Sequence, residues 1–81
     1  MQNHQVTIIT LPVCPKCVIM KKRLQKIAEE HPEVSVEEMG LQAYIGEAMR
    51  RRIMDAPIIL VGDMVFTGVV DDSAILSALG I

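Results

Sequence analysis

Val6 to Cys17 reads VTIITLPVCPKC, and the change of character along this stretch decides the fold. Its first half, Val6 to Thr10, is rich in β-branched residues and almost continuously apolar, which predicts a strand covered on both faces and placed centrally in a sheet. Pro12 bounds it. From Pro15 to about Glu30, Cys17, Met20, Leu24 and Ile27 recur at helical spacing while Lys16, Lys22, Arg23, Lys26 and Glu30 fall on other faces, so an amphipathic helix follows. It should end near His31-Pro32. The chain's two cysteines therefore sit where a buried strand hands over to a helix.

That position makes the two sulfurs unequal. Cys14 falls at the helix N-cap, Pro15 at the first helical position that favours proline, and Cys17 inside the first turn. The amides of Lys16 and Cys17 can point at the Cys14 sulfur, and the helix dipole with the Lys16 ammonium favours its thiolate. Cys14 is the expected nucleophile. Cys17 shares the buried stripe with Met20 and Leu24, which shields it and places it to attack a mixed disulfide on Cys14. A cross-link over so short a loop constrains the unfolded chain little, so a reversible role suits it better than a structural one. Two inert buried thiols are disfavoured because Pro12 and Pro15 mark an exposed turn. Metal binding is the sharper rival: zinc needs four ligands, or three plus water, and beyond the thiols the chain offers only His4 and His31. A metal or iron-sulfur site would have to bridge two chains.

Downstream, Glu33 to Glu37 alternates, with Val34 and Val36 on one side, as in an edge strand with one wet face. Leu41 to Met54 predicts a second helix carrying Leu41, Ile45 and Ala48 on one face, with Arg50, Arg51 and Arg52 near its C-terminal carbonyls. Ile58 to Val61 and Met64 to Thr67 flank Gly62-Asp63, a two-residue loop of the kind that joins antiparallel strands. Asp71-Asp72-Ser73 then supplies an N-cap for a closing helix with Ile75, Leu76 and Leu79, stopped by Gly80. The first strand-helix-strand should be a right-handed crossover with parallel strands. The expectation is a single α/β domain over residues 1–81, β-α-β-α-β-β-α, with a four-stranded mixed sheet flanked by helices.

Composition narrows the function. An 81-residue chain has room for one core, and with Tyr44 and Phe66 as its sole aromatics that core must be aliphatic. The formal charge of −2 argues against a nucleic-acid footprint. Met1 to Gln5 lacks the basic cluster of an export signal, and no apolar run approaches the ~18 residues of a membrane span, so a cytoplasmic protein is expected. The run of arginines reads as a solvated helix end, His4 and His31 as surface residues, and the six methionines as packing. Val13 and Val69 are candidates for an apolar rim that binds a substrate polypeptide near Cys14.

Taken together, Cys14-Pro15-Lys16-Cys17 after a first strand, Ala56-Pro57 before a hairpin, and Gly68 before an acidic helix cap resemble the glutaredoxins and the small archaeal-type glutaredoxin-like thioredoxins of the thioredoxin-fold superfamily. The resemblance spans nearly the whole chain. It implies that Cys14 attacks, that Cys17 resolves, and that Pro57 is a cis proline facing the active site. Gly68 of the family's ligand-binding set is kept, and because Pro57 opens the next strand the Ala56 backbone is left free to pair with an extended substrate segment, so Ala56 and Gly68 join Val13 and Val69 as candidate substrate contacts. The chain departs from thioredoxins proper in having no tryptophan and in reading Pro-Lys between the cysteines. It departs from glutathione-using glutaredoxins in reading Leu11, Asp55-Ala56 and Gly68-Val69 where a basic residue, Thr-Val and paired glycines are usual.

The resulting expectation is a monomeric thiol-disulfide oxidoreductase that needs no bound cofactor, acts on disulfide-containing proteins, and draws electrons from a reductase or from glutathione. A cluster-bridging dimer, or an interaction module with incidental cysteines, is the alternative.

Overall fold

The computed structural model describes residues 4–81; Met1 to Asn3, part of the stretch read above for an export signal, lie outside the described residues. Along the chain run β1 (His4–Thr10), α1 (Pro15–Glu30), β2 (Val34–Gly40), α2 (Leu41–Arg50), β3 (Ile58–Val61), β4 (Met64–Thr67) and α3 (Asp72–Leu79). The sheet order is β2-β1-β3-β4, which puts β1 inside and β2 at an edge. β1 and β2 are parallel, Val6 opposite Val36, whereas β3 is antiparallel to both β1 and β4, with Ile8 opposite Ile59.

The continuous apolar run of β1 is explained by helices on both faces of the sheet. Val6 and Ile8 point one way and join Met20, Leu24 and Ile27 of α1, Ile59 and Val61 of β3, and Ile75 and Leu79 of α3. Ile9 points the other way and meets Ala48 of α2 and Ile58, with Leu41, Tyr44 and Ile53 packed around them. Alternation along the strand thus feeds two cores at once. Among the described residues every fully buried side chain is apolar, so burial along the sheet carries no desolvation penalty for polar side chains.

Three boundaries differ from the sequence reading. β1 starts at His4, which lies in the strand and not before it. β2 continues past Glu37 to Gly40 because it pairs with β1 along its full length. α2 stops at Arg50, four residues before Met54, for a reason in the backbone. Arg52 takes a left-handed φ of 57°, its amide donates to Met49 O at 3.1 Å, and the Ile53 amide donates to Ala48 O at 2.9 Å. These are the two bonds of a Schellman stop, with Ile53 packing into the same core as Ala48. The closing helix ends in the same way, Gly80 donating to Ser77 O and Ile81 to Leu76 O, both at 3.1 Å, with glycine at the left-handed position. Arginine does at residue 52 what glycine does at residue 80.

Two smaller expectations also change. Ile45, placed on the buried face of α2, is 45% exposed, and Ala48 carries the contact. Asp71 occupies the N-cap of α3 and its carbonyl accepts from Ala74 N at 3.0 Å, but its side chain makes no cap bond.

Candidate active site

Strand β1 delivers the chain to the surface at Leu11, Pro12 and Val13, and α1 takes it back into the core. Cys14 is the N-cap residue of α1, with extended backbone, and the Cys17 amide donates to its sulfur at 3.1 Å. Pro15 opens the helix, where its missing donor costs nothing because that amide has no helical partner. The two cysteines form a disulfide, with Cα atoms 5.2 Å apart. Their surroundings differ: Cys14 is partly exposed on the turn, whereas Cys17 is 3% exposed and packs with the stripe that includes Met20 and Leu24.

Two other segments are tied to α1 and the turn that opens it. The Ala56-Pro57 bond is cis, and Pro57 is fully buried at the start of β3. Gly68 follows β4 with φ 75°, and its amide donates to the Pro57 carbonyl at 2.9 Å, so the proline segment and the Gly68 turn are held together through backbone. Val70, two residues on, is clamped to α1: its amide donates to the Met20 sulfur at 3.3 Å and its carbonyl accepts from the Arg23 guanidinium at 3.4 Å. Met20 therefore fills space and also satisfies a loop amide.

Asp55, named from the sequence only as a departure from the glutaredoxin pattern and given no role in the site, ties these pieces together. Its Oδ1 accepts from Lys16 Nζ at 3.1 Å and from the Ala56 amide at 2.9 Å. Its Oδ2 lies 3.0 Å from where a β-carbon on Gly68 would stand. The hydrogen bond from Lys16, then that from the Ala56 amide, hold its carboxyl below the usual range. Lys16 thus has its charge matched by a carboxylate from the proline segment, and the Ala56 amide is not free as expected but capped by its neighbour. The signal in the sequence was slight: Lys16 and Asp55 are 39 positions apart.

Exposed apolar side chains stand on the segments that carry the site, beside the solvent-facing Lys16–Asp55 pair. Val13 is 90% exposed, Val69 47% and Leu11 38%, and Met54, freed by the early end of α2, is 98% exposed. Beside Leu11 and Pro12 a groove of ≈ 790 Å³ runs between the ends of β1 and β2 and the start of α2, past Gly40, Leu41 and Ile45. Glu38 on its wall is held below its ordinary pKa by hydrogen bonds from Lys21 and then Thr10. The histidines stand apart: His31 caps the C-terminus of α1, and His4 opens β1. Among the described residues no three His, Cys, Asp or Glu side chains converge as a metal site, and no helix is long and apolar enough to cross a membrane.

No protein-family model matches the chain. A curated thioredoxin from Methanocaldococcus jannaschii is 31% identical over 81 aligned residues, which cover 98% of this chain and 95% of that protein. The chain belongs to the thioredoxin family. Solved structures agree on the fold: mitochondrial thioredoxin 3 from Saccharomyces cerevisiae in its oxidized form matches with a TM-score of 0.74 at 18% identity, over 98% of this chain and 79% of that one. The glutaredoxin-like NrdH-redoxin from Escherichia coli matches with a TM-score of 0.60 at 22% identity, over 85% of this chain and 88% of its own. As a thioredoxin-family protein with a paired Cys14-Cys17, the chain is a thiol-disulfide oxidoreductase acting on disulfide substrates with a reductase as electron source. That activity is favoured over a metal or cluster bridging two chains.

Proposed function

We propose that Cys14 is the attacking cysteine and Cys17 the resolving one in a cytoplasmic, monomeric protein-disulfide reductase built as a single domain. The observation that carries this reading is the asymmetry of the pair: the Cys14 sulfur sits at the N-terminus of α1 and accepts from the Cys17 amide at 3.1 Å, while Cys17 is 3% exposed. Helix dipole and amide stabilise negative charge on the first sulfur, and burial withholds it from the second. In the forward reaction the Cys14 thiolate attacks a substrate disulfide and expels one substrate thiolate. Cys17, as thiolate, then attacks the Cys14 sulfur of the mixed disulfide, expels the second substrate thiolate, and closes the internal disulfide. Two electrons pass from the dithiol to the substrate, and no bound cofactor takes part.

Pro15 and Lys16 shape the turn, and Pro57 positions the strand that borders it. Val13, Val69, Gly68 and Ala56 form the contact surface for an extended substrate polypeptide, with the apolar rim favouring protein over small polar disulfides. A protein reductase, not glutathione, is the proposed electron source, because the basic residue, Thr-Val pair and paired glycines of glutathione-using relatives are replaced here. Alkylation of the reduced protein with limiting iodoacetamide near neutral pH, read by peptide mass, should label Cys14 before Cys17. Earlier labelling of Cys17 would reverse the two roles.

A further inference from the structure

Next to the disulfide, one carboxylate oxygen occupies the two groups that an incoming anion would use. A cation, Lys16 Nζ, and a backbone donor, the Ala56 amide, converge on Asp55 Oδ1 at 3.1 and 2.9 Å. The other oxygen of the same carboxylate rests against Gly68, where the absence of a β-carbon leaves just enough room for it. Lys16 lies inside the Cys-x-x-Cys turn and Ala56 precedes the proline that opens β3, so this oxygen bridges the turn that carries Cys14 and the proline segment. An ammonium and an amide aimed at one point make an anion site, and here it is filled from within.

We infer that Asp55 is a specificity-determining residue that stands in for a substrate carboxylate and thereby disfavours disulfides of small carboxylate-bearing thiols, of which glutathione is the type, relative to uncharged ones. The inference deepens the reading above and rests on Cys14 being the attacking sulfur. A glutathione disulfide brings carboxylates close to the sulfur under attack. With Asp55 in place they meet a like charge and find both Lys16 and the Ala56 amide already engaged. An uncharged disulfide, or a polypeptide docking through apolar side chains, meets no such repulsion. The reaction is the balanced exchange described above, with oxidised glutathione reduced to two glutathione thiols as the Cys14-Cys17 dithiol becomes a disulfide.

The test compares two small disulfides that differ in charge. Reduced protein is mixed with oxidised glutathione or with bis(2-hydroxyethyl) disulfide, quenched with acid, and the two rate constants are read by mass after alkylation. Their ratio cancels changes in the intrinsic reactivity of Cys14. Asp55→Asn keeps an oxygen for the Ala56 amide but removes the charge and loosens the hold on Lys16, so the ratio of glutathione to hydroxyethyl rates should rise about two- to fivefold, the upper part of the range that exposed charge contacts supply. Asp55→Ser carries the same expectation on a shorter side chain should the Asn variant fail to fold. Adding Lys16→Gln to Asp55→Asn should bring the ratio back towards the wild-type value, because the freed ammonium attracts the glutathione carboxylate. An unchanged or lowered ratio in the single variants overturns the proposal, as does a double variant whose ratio stays fully raised. Cys14→Ser serves as the control: reaction at the wild-type rate would overturn the Cys14 assignment and this proposal with it. An inert Cys14→Ser with an unmoved ratio would overturn the proposal alone.

Discussion

Replacing Gly68 with alanine tests whether the turn beside the cysteines is as tightly determined as its geometry implies. Gly68 has φ 75°, a conformation that costs an L-residue about 1–2 kcal/mol, of which alanine's reduced unfolded-state freedom offsets about 0.4–1 kcal/mol. The backbone alone therefore leaves a destabilisation of roughly 1 kcal/mol, equivalent to a fall in Tm of about 4–8 °C for a domain of this size. A steric part adds to it, because the new β-carbon would lie 3.0 Å from Asp55 Oδ2. The carboxylate can retreat only by straining the bonds that Lys16 and the Ala56 amide make to its other oxygen. Urea unfolding of the disulfide-closed protein at neutral pH, with m unchanged, measures the sum. In an Asp55→Ala background the steric part is absent, so Gly68→Ala should cost less there than in the wild type. A Gly68→Ala protein as stable as wild type would refute the backbone argument, and equal losses in both backgrounds would refute the contact with Asp55.

Two further outcomes follow from the end of α2. Arg52→Gly relieves a left-handed arginine while raising the entropy of the unfolded chain, for a net gain of about 0.5–1 kcal/mol in urea unfolding; a loss would mean that the arginine side chain contributes more than its backbone costs. Glu47 has its carboxyl lowered from 4.5 to about 2 by hydrogen bonds from Arg50 and then Arg51. Because the folded-state pKa is the lower one, the stabilisation is present above about pH 4.5 and is lost as the pH falls towards 2. Acid titration of stability should accordingly be shallower across that window in Glu47→Gln, and an identical titration would show that these partly exposed ion pairs contribute nothing measurable.

Most of the architecture was legible because burial leaves a periodic trace. The uninterrupted VTIIT of β1 announced a strand covered on both faces, and Cys17, Met20, Leu24 and Ile27 are the residues α1 buries. The hairpin bounds, Ile58–Val61 and Met64–Thr67, agree residue for residue. The end of α2 was not legible, since the stop at Arg52 uses a residue with no intrinsic preference for the left-handed region. Asp55 was missed for a different reason. Its partners are an exposed lysine far away in sequence and its neighbour's amide, and neither leaves a pattern in hydropathy. The same contact explains why the Ala56 amide, expected to be open, is capped. Cys14 and Cys17 were found because their chemistry depends on local helix geometry, which spacing alone encodes.

The division of labour between the cysteines is tested most directly by trapping. Cys17→Ser and Cys14→Ser proteins, reduced and then offered a disulfide-containing polypeptide, are quenched with acid and resolved by non-reducing mass analysis. If Cys14 attacks and Cys17 releases, Cys17→Ser accumulates a stable mixed disulfide through Cys14, while Cys14→Ser forms none and does not turn over. A mixed disulfide that accumulates through Cys17 in Cys14→Ser, or turnover that survives loss of Cys14, would contradict the account.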